Sequence, residues 1–134
     1  MSPEKKTGKA PDPRRATGQR AEDICASRLK QRGWQIIARN WRIKAGEIDL
    51  IARSGSILVV VEVKAGHTGS VRGPPLPTMA VGPNKQRRIR KLASAWVASH
   101  GRTAEFREVR FDVVGIQFDQ AGSIATYDHI ENAF

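Results

Sequence analysis

Ile57-Leu58-Val59-Val60-Val61-Glu62-Val63-Lys64, preceded by Glu47-Ile48-Asp49-Leu50-Ile51-Ala52-Arg53, is the stretch on which the fold turns. The later segment is a near-continuous β-branched run, the pattern of a central strand covered on both faces. The earlier one alternates apolar with polar residues, as a half-buried strand does. Ser54-Gly55-Ser56 between them is a turn signal. Together they predict a hairpin. The apolar run then ends abruptly in two charges, Glu62 and Lys64. Such groups are seldom fully buried unless they are paired or hold a metal.

Side chains alternate faces along a strand, so residues i and i+2 share one. Glu62 and Lys64 therefore point the same way, as do Glu47 and Asp49. A tight turn centred near Gly55 sets Asp49 opposite Glu62. A one-residue slip would place them on opposite faces. In that register two or three carboxylates and an ammonium crowd one patch of sheet. Neighbouring carboxylates repel, and one would hold a proton. A bound Mg²⁺ or Mn²⁺ removes the conflict, because hard cations prefer carboxylate oxygens and water. From the residues alone a plain salt bridge at the wet end of the strand stands beside this metal-type site, since a Glu-x-Lys triplet by itself carries little.

Outward from the hairpin, residues 1–16 are rich in Lys, Arg and Pro and predict a flexible basic tail. Thr17 is expected as the N-cap of a helix that stops at Gly33. Ala21, Ile24, Cys25 and Leu29 form its apolar stripe, with Glu22 beside it near the first turn. Trp34, Ile36 and Ala38 predict a first strand. Residues 66–83 are rich in Gly and Pro and predict a long mobile loop. A second helix is expected from Asn84 to His100, with Gly101 as its stop. Ile89, Leu92, Ala93, Trp96 and Val97 have the spacing of one buried face. Strands are expected at Val109–Phe118 and Ile124–Ile130. The order gives an α/β domain over residues 17–134, with a mixed central β-sheet flanked by helices.

The chain of 134 residues carries a formal charge of +10. That balance favours polyanionic partners over any particular fold. The cations are concentrated at Lys85, Arg87, Arg88, Arg90 and Lys91, with no acid among them. A phosphate backbone would relieve their mutual repulsion, and Lys85, at the start of its helix, is best placed to reach the hairpin carboxylates. Arg14, Arg15 and the tail lysines would add salt-sensitive affinity. One cysteine, Cys25, excludes an intramolecular disulfide and suits a reducing compartment. Its place on the apolar stripe marks it as core, as does that of Trp96. No apolar run is long enough to span a membrane, and the N-terminus lacks the pattern of a secretory signal, so a cytoplasmic location is expected. His67, His100 and His129 show no zinc-type spacing. Asp112, a charge in the strand Arg110-Phe111-Asp112-Val113-Val114, reads as a structural salt bridge or a strand-end position rather than a catalytic group.

Four segments in order carry a resemblance: Gly46-Glu47-Ile48-Asp49-Leu50-Ile51, Val60-Val61-Glu62-Val63-Lys64, Arg110-Phe111-Asp112-Val113-Val114 and His129-Ile130-Glu131-Asn132-Ala133-Phe134. With them the chain, from about Gly18 onward, resembles the YraN family of small bacterial proteins. The resemblance implies a restriction-endonuclease-like fold with an αβββαβ core, close to archaeal Holliday-junction resolvases. It implies a divalent-metal-dependent endonuclease acting on DNA. Asp49 and Glu62 would bind Mg²⁺ or Mn²⁺, Glu22 would complete the metal's shell, and Lys64 would act on the scissile phosphate. Glu47 is the alternative to Glu22. Symmetric cutting of two strands would favour a homodimer. A non-catalytic DNA- or RNA-binding protein on the same fold is the alternative function. Where the family usually carries an Arg two residues past the Lys, this chain has Ala65-Gly66-His67, a departure on the side where substrate would approach.

Overall fold

A computed structural model describes residues 12–69, 81–100 and 105–134. Helix α1 (Pro13–Gln31) is followed by β1 (Gln35–Ile43), β2 (Gly46–Ser54) and β3 (Ile57–His67), then α2 (Pro83–His100), β4 (Glu108–Phe118) and β5 (Ile124–Ile130). The expected hairpin, the two helices and the two closing strands are all present. The greater part of the expected basic tail, the middle of the 66–83 loop and the Gly101 stop lie outside the described residues. No helix among those described is long and apolar enough to cross a membrane.

Helix α1 starts earlier than Thr17. Asp12 is the N-cap, its side chain accepting the Arg14 N–H at 3.0 Å, and Pro13 occupies the first turn. Proline suits that position because its missing N–H would be unpaired there anyway. Thr17 lies inside the helix, where its hydroxyl donates to the Pro13 carbonyl at 2.9 Å. Residues 13–16, expected in the tail, are thus helical. The end falls where expected: Gly33 is left-handed at φ 89°, and Trp34 N–H returns to the Leu29 carbonyl.

The five strands run in the spatial order β1-β2-β3-β4-β5. β3 and β4 are parallel and the other neighbours antiparallel, so the sheet is mixed as expected. α1 packs Ala21, Cys25 and Leu29 on one face, against Leu50, Ala52, Val59, Val61 and Val114. α2 packs Ile89, Leu92 and Trp96 on the other, against Ile51, Leu58, Val60 and Val113. Successive residues of β3 therefore feed opposite cores, which is why its sequence is apolar without alternation. Burying each such Val or Leu contributes about 1.5–3 kcal/mol.

The alternation of β2 breaks at one point. Ile48 belongs to the α2-side core and Leu50 to the α1-side core, although they are two residues apart. Asp49 sits at the break. Across on β1, Arg39 pairs with Leu50 and Trp41 with Ile48, so Asn40 lies beside Asp49, and Asn40 has a left-handed φ of 51°. Asparagine tolerates that conformation better than most residues. The strict two-residue period that would align Glu47 with Asp49 therefore does not hold through this kink.

Candidate active site

The β2–β3 ladder pairs Ser54 with Ile57 and continues to Leu50 with Val61. One step further, Asp49 and Glu62 come side by side, as the sequence register requires. There the ladder stops: Asp49 Oδ2 accepts the backbone N–H of Val63 at 2.8 Å. A side chain has taken over a donor of the neighbouring strand, and this fixes the carboxylate at the splayed end of the hairpin. Glu62 is buried, at 6% exposure. Its Oε2 receives two lysines, Lys85 Nζ at 2.6 Å and Lys64 Nζ at 3.4 Å. Lys64 follows on the same strand, and Lys85 comes from the first turn of α2. Glu22 approaches from α1, and its Oε1 is buried without a hydrogen-bond partner. The structure thus gathers Glu22, Asp49, Glu62, Lys64 and Lys85 from four separate elements.

The electrostatics of this group are unsettled. Burial, with the negative charge of Glu62 beside it, pushes the Asp49 carboxyl up to about 7. Burial likewise raises Glu22, with Asn40 offsetting part of the effect and Glu47 adding to it. Lys64 is lowered by burial and by the neighbouring Lys85. Burial alone would lower Lys85 too, but its contacts with Glu62 and Lys64 outweigh that and raise it. A buried carboxylate oxygen without a donor, and a carboxyl held near neutrality, are two marks of a place a cation would relieve. The donors are all oxygens, which suits Mg²⁺ or Mn²⁺. The residues fit such an ion in chemistry. They do not form a ready-made cage: among the described residues, ligand atoms of three such groups gather within 4.8 Å only at Asp112, His129 and Glu131.

That second cluster has a different character. Asp112 is fully buried, and Arg110 grips it with two nitrogens, each at 2.9 Å. His129 Nε2 lies 2.8 Å from Asp112 Oδ2, and Asn132 N–H reaches Oδ1 at 3.0 Å. Arg32 stands 2.9 Å from His129 Nδ1 and 3.0 Å from Glu131. Arginine only donates, so His129 accepts through Nδ1 and donates through Nε2 to Asp112. Burial alone would raise the Asp112 carboxyl. The hydrogen bonds from His129, Arg110 and Asn132 prevail and hold it below the ordinary carboxylate value. Two guanidinium groups already supply the positive charge here. The sequence reading of Asp112 as a structural ion pair agrees with this geometry, but His129 as its further partner, with Arg32 behind it, was not foreseen. The only forewarning was an Arg two residues before an Asp in an apolar strand.

Among the remaining candidates, Glu47 is drawn away to Arg42, at 2.8 Å, and Glu22 keeps the stronger claim. His67 packs near Phe118, and His100 stacks on Trp96, with ring centroids 5.4 Å apart. Arg87, Arg88, Arg90 and Lys91 are exposed on α2. Arg90 lies over the Phe111 ring at 4.7 Å, and Arg87 contacts Asn84. Arg88 and Lys91 have no acidic partner among the described residues. Two arginines of α1 and the one that caps its end are committed instead: Arg20, Arg28 and Arg32 lie over Phe118, Tyr127 and Trp34 at 4.2–4.7 Å. Asn40, which shapes the kink beside Asp49, was missed; an Asn within an otherwise extended run was its only signal.

Comparison of the sequence with known proteins gives one consistent result. The model of the uncharacterised protein family UPF0102 matches residues 21–116. A UPF0102 protein of Streptomyces coelicolor is 41% identical over 111 residues, 82% of either chain. One of Rhodococcus jostii is 44% identical over 119 residues, 89% of this chain and 96% of its own length. A third, of Dictyoglomus turgidum, is 35% identical over 117 residues, 87% and 95% of the two chains. Among solved structures, Pyrococcus furiosus SfsA in complex with Ca²⁺ aligns at a TM-score of 0.42 and 19% identity. That alignment covers 88% of this chain and 63% of SfsA, so the chain spans just under two thirds of that protein. The sequence matches, over a range that includes Asp49, Glu62, Lys64 and Asp112, establish that the chain belongs to the UPF0102 family, the YraN family its motifs resemble.

Proposed function

We propose that this protein is a divalent-metal-dependent endonuclease that hydrolyses DNA phosphodiesters. The observation that carries the proposal is the buried group at the end of the β2–β3 hairpin, where Asp49 is pushed up to about 7 next to Glu62, and Glu22 Oε1 lacks a partner. Asp49 and Glu62 would hold the metal, with Glu22 adding to its shell. A bound Mg²⁺ or Mn²⁺ supplies a water of lowered pKa and polarises the phosphate. Asp49 is oriented for this by the Val63 N–H. Lys64, on the same strand as Glu62, would face the phosphate and stabilise its developing negative charge. The exposed row Arg87, Arg88 and Lys91 continues from the site along α2 and suits a phosphate backbone, which contributes affinity without sequence information. Cleavage of both strands of a duplex would call for a homodimer, and the work would be done in the cytoplasm.

A second reading is favoured by a specific contact: Glu62 already has two ammonium partners. A Glu62 already paired in this way suits a nucleic-acid-binding protein without turnover. One experiment separates the two. Wild type and Asp49→Ala are incubated with labelled duplex, single-stranded and four-way-junction DNA, with and without Mn²⁺. Metal-dependent cleavage by the wild type, lost in the variant while binding persists, is expected. Equal binding without cleavage by either moves the assignment to the non-catalytic reading.

A further inference from the structure

We infer that Lys85 is a gate on the metal site: its ammonium occupies, on Glu62 Oε2, the position of a divalent cation, and metal entry turns Lys85 outward to take up a phosphate. The inference rests on the reading of Asp49 and Glu62 as metal ligands and concerns a residue outside the Asp, Glu-x-Lys set.

Four observations converge on it. Lys85 Nζ is 2.6 Å from Glu62 Oε2, closer than Lys64 at 3.4 Å on the same oxygen. That oxygen belongs to a side chain only 7% exposed, so it has little access to water as a substitute partner. The Lys85 side chain is itself 36% exposed, against 23% for Lys64, so Lys85 is the partner with room to leave. Finally, Lys85 lies at the solvent-facing start of α2, at the head of the exposed row Arg87, Arg88 and Lys91.

Charge counting gives the direction of the switch. Without metal, the two lysines face three carboxylates, Glu22, Asp49 and Glu62, which leaves one negative charge over when all three are ionised. A divalent cation added to these five groups turns that into an excess of one positive charge. The system relieves it by expelling the more exposed ammonium. The expelled Lys85 would then offer three free donors to a phosphodiester, whose negative charge offsets the excess. Metal and nucleic acid would therefore bind cooperatively, each lowering the cost of displacing Lys85.

The test measures Mn²⁺ binding by calorimetry or by the electron paramagnetic resonance of free Mn²⁺, on the full chain without DNA. Removing the competing ammonium in Lys85→Met is expected to tighten Mn²⁺ binding by roughly fivefold, the scale of one partly exposed ion pair. Lys85→Arg keeps the charge and should stay near wild type. In Ca²⁺, used as a probe of binding, Lys85→Met should bind duplex DNA more weakly and lose the enhancement of DNA binding by metal. Circular dichroism and thermal melting confirm that each variant is folded. Mn²⁺ binding in Lys85→Met that is unchanged or weaker than wild type overturns the gate while leaving the metal site intact. Failure of wild type, Lys85→Met and Lys85→Arg alike to bind Mn²⁺ overturns the metal-site reading, and the gate with it.

Discussion

Asp112 and Glu62 are the buried charged residues among those described, and they sit on adjoining strands, where Val61 pairs with Asp112 and Glu62 with Val113. They are one register step apart and face opposite helices. Around Asp112, each carboxylate oxygen has a donor, from Arg110, His129 or the Asn132 backbone, and the group is held below its ordinary pKa. Around Glu62, the cations crowd onto a single oxygen, Asp49 beside it is pushed up to about 7, and Glu22 keeps an oxygen unpaired. Both clusters break the rule that strands bury apolar groups. The first is resolved by planar, multidentate guanidinium donors and stabilises the fold. The second is left unresolved, which fits the metal site proposed above.

The sharpest way to break the comparison is to remove a partner from each. Arg110→Met should destabilise the protein by about 3–5 kcal/mol, because it strands a buried carboxylate. Asp49→Asn should do the reverse at pH 8, stabilising the metal-free protein by on the order of 2 kcal/mol while removing Mn²⁺ binding. Urea denaturation measures both, and a loss of stability in Asp49→Asn would reduce the two clusters to one kind.

A pH series sharpens it further. The folded value for Asp49 is raised, from 3.8 to about 7, so its contribution to stability is complete below about pH 4. That contribution fades as the pH rises through 7. Asp112 is lowered, so its contribution is present above pH 3.8 and fades as the pH falls through its folded value. Thermal midpoints of the wild type should therefore decline on the neutral side in a manner absent from Asp49→Asn. Mn²⁺ should flatten the same decline. The smallest effects belong to the helix surfaces. Arg88→Gln or Lys91→Gln should lower the salt slope of DNA binding by about one each and leave stability within about 0.5 kcal/mol. Arg28→Gln should instead cost about 0.5–1 kcal/mol of stability through the lost Tyr127 contact and leave the slope unchanged.

What could be foreseen follows the range of the interactions involved. β3 announces itself because both its faces are covered, and Asp49 meets Glu62 because a short turn fixes the register. The start of α1 was misplaced because Asp12 and Thr17 are both good N-caps. Pro13, not the cap itself, decides between them. The Asn40 kink was hidden because a left-handed residue inside a strand depends on what lies across from it. The cluster around Asp112 was hidden for a related reason: Arg32 and His129 lie 97 residues apart and meet only through the whole sheet.

The parallel pairing of β3 with β4 has a kinetic consequence. From Ile57 with Glu108 to His67 with Phe118, each pair is separated by a constant 51 residues (108 − 57 and 118 − 67). Closing a loop of that length costs about 3.5 kcal/mol of chain entropy beyond a constant, before any contact rewards it. Asp49, Glu62 and Lys64 lie within one 16-residue hairpin and can meet on the microsecond scale. Lys85 reaches them only once the crossover has docked. The acidic pair is therefore assembled before its gatekeeper arrives, and folding of the whole chain is paced by the slow, non-local step that delivers α2 and β4 to a waiting hairpin.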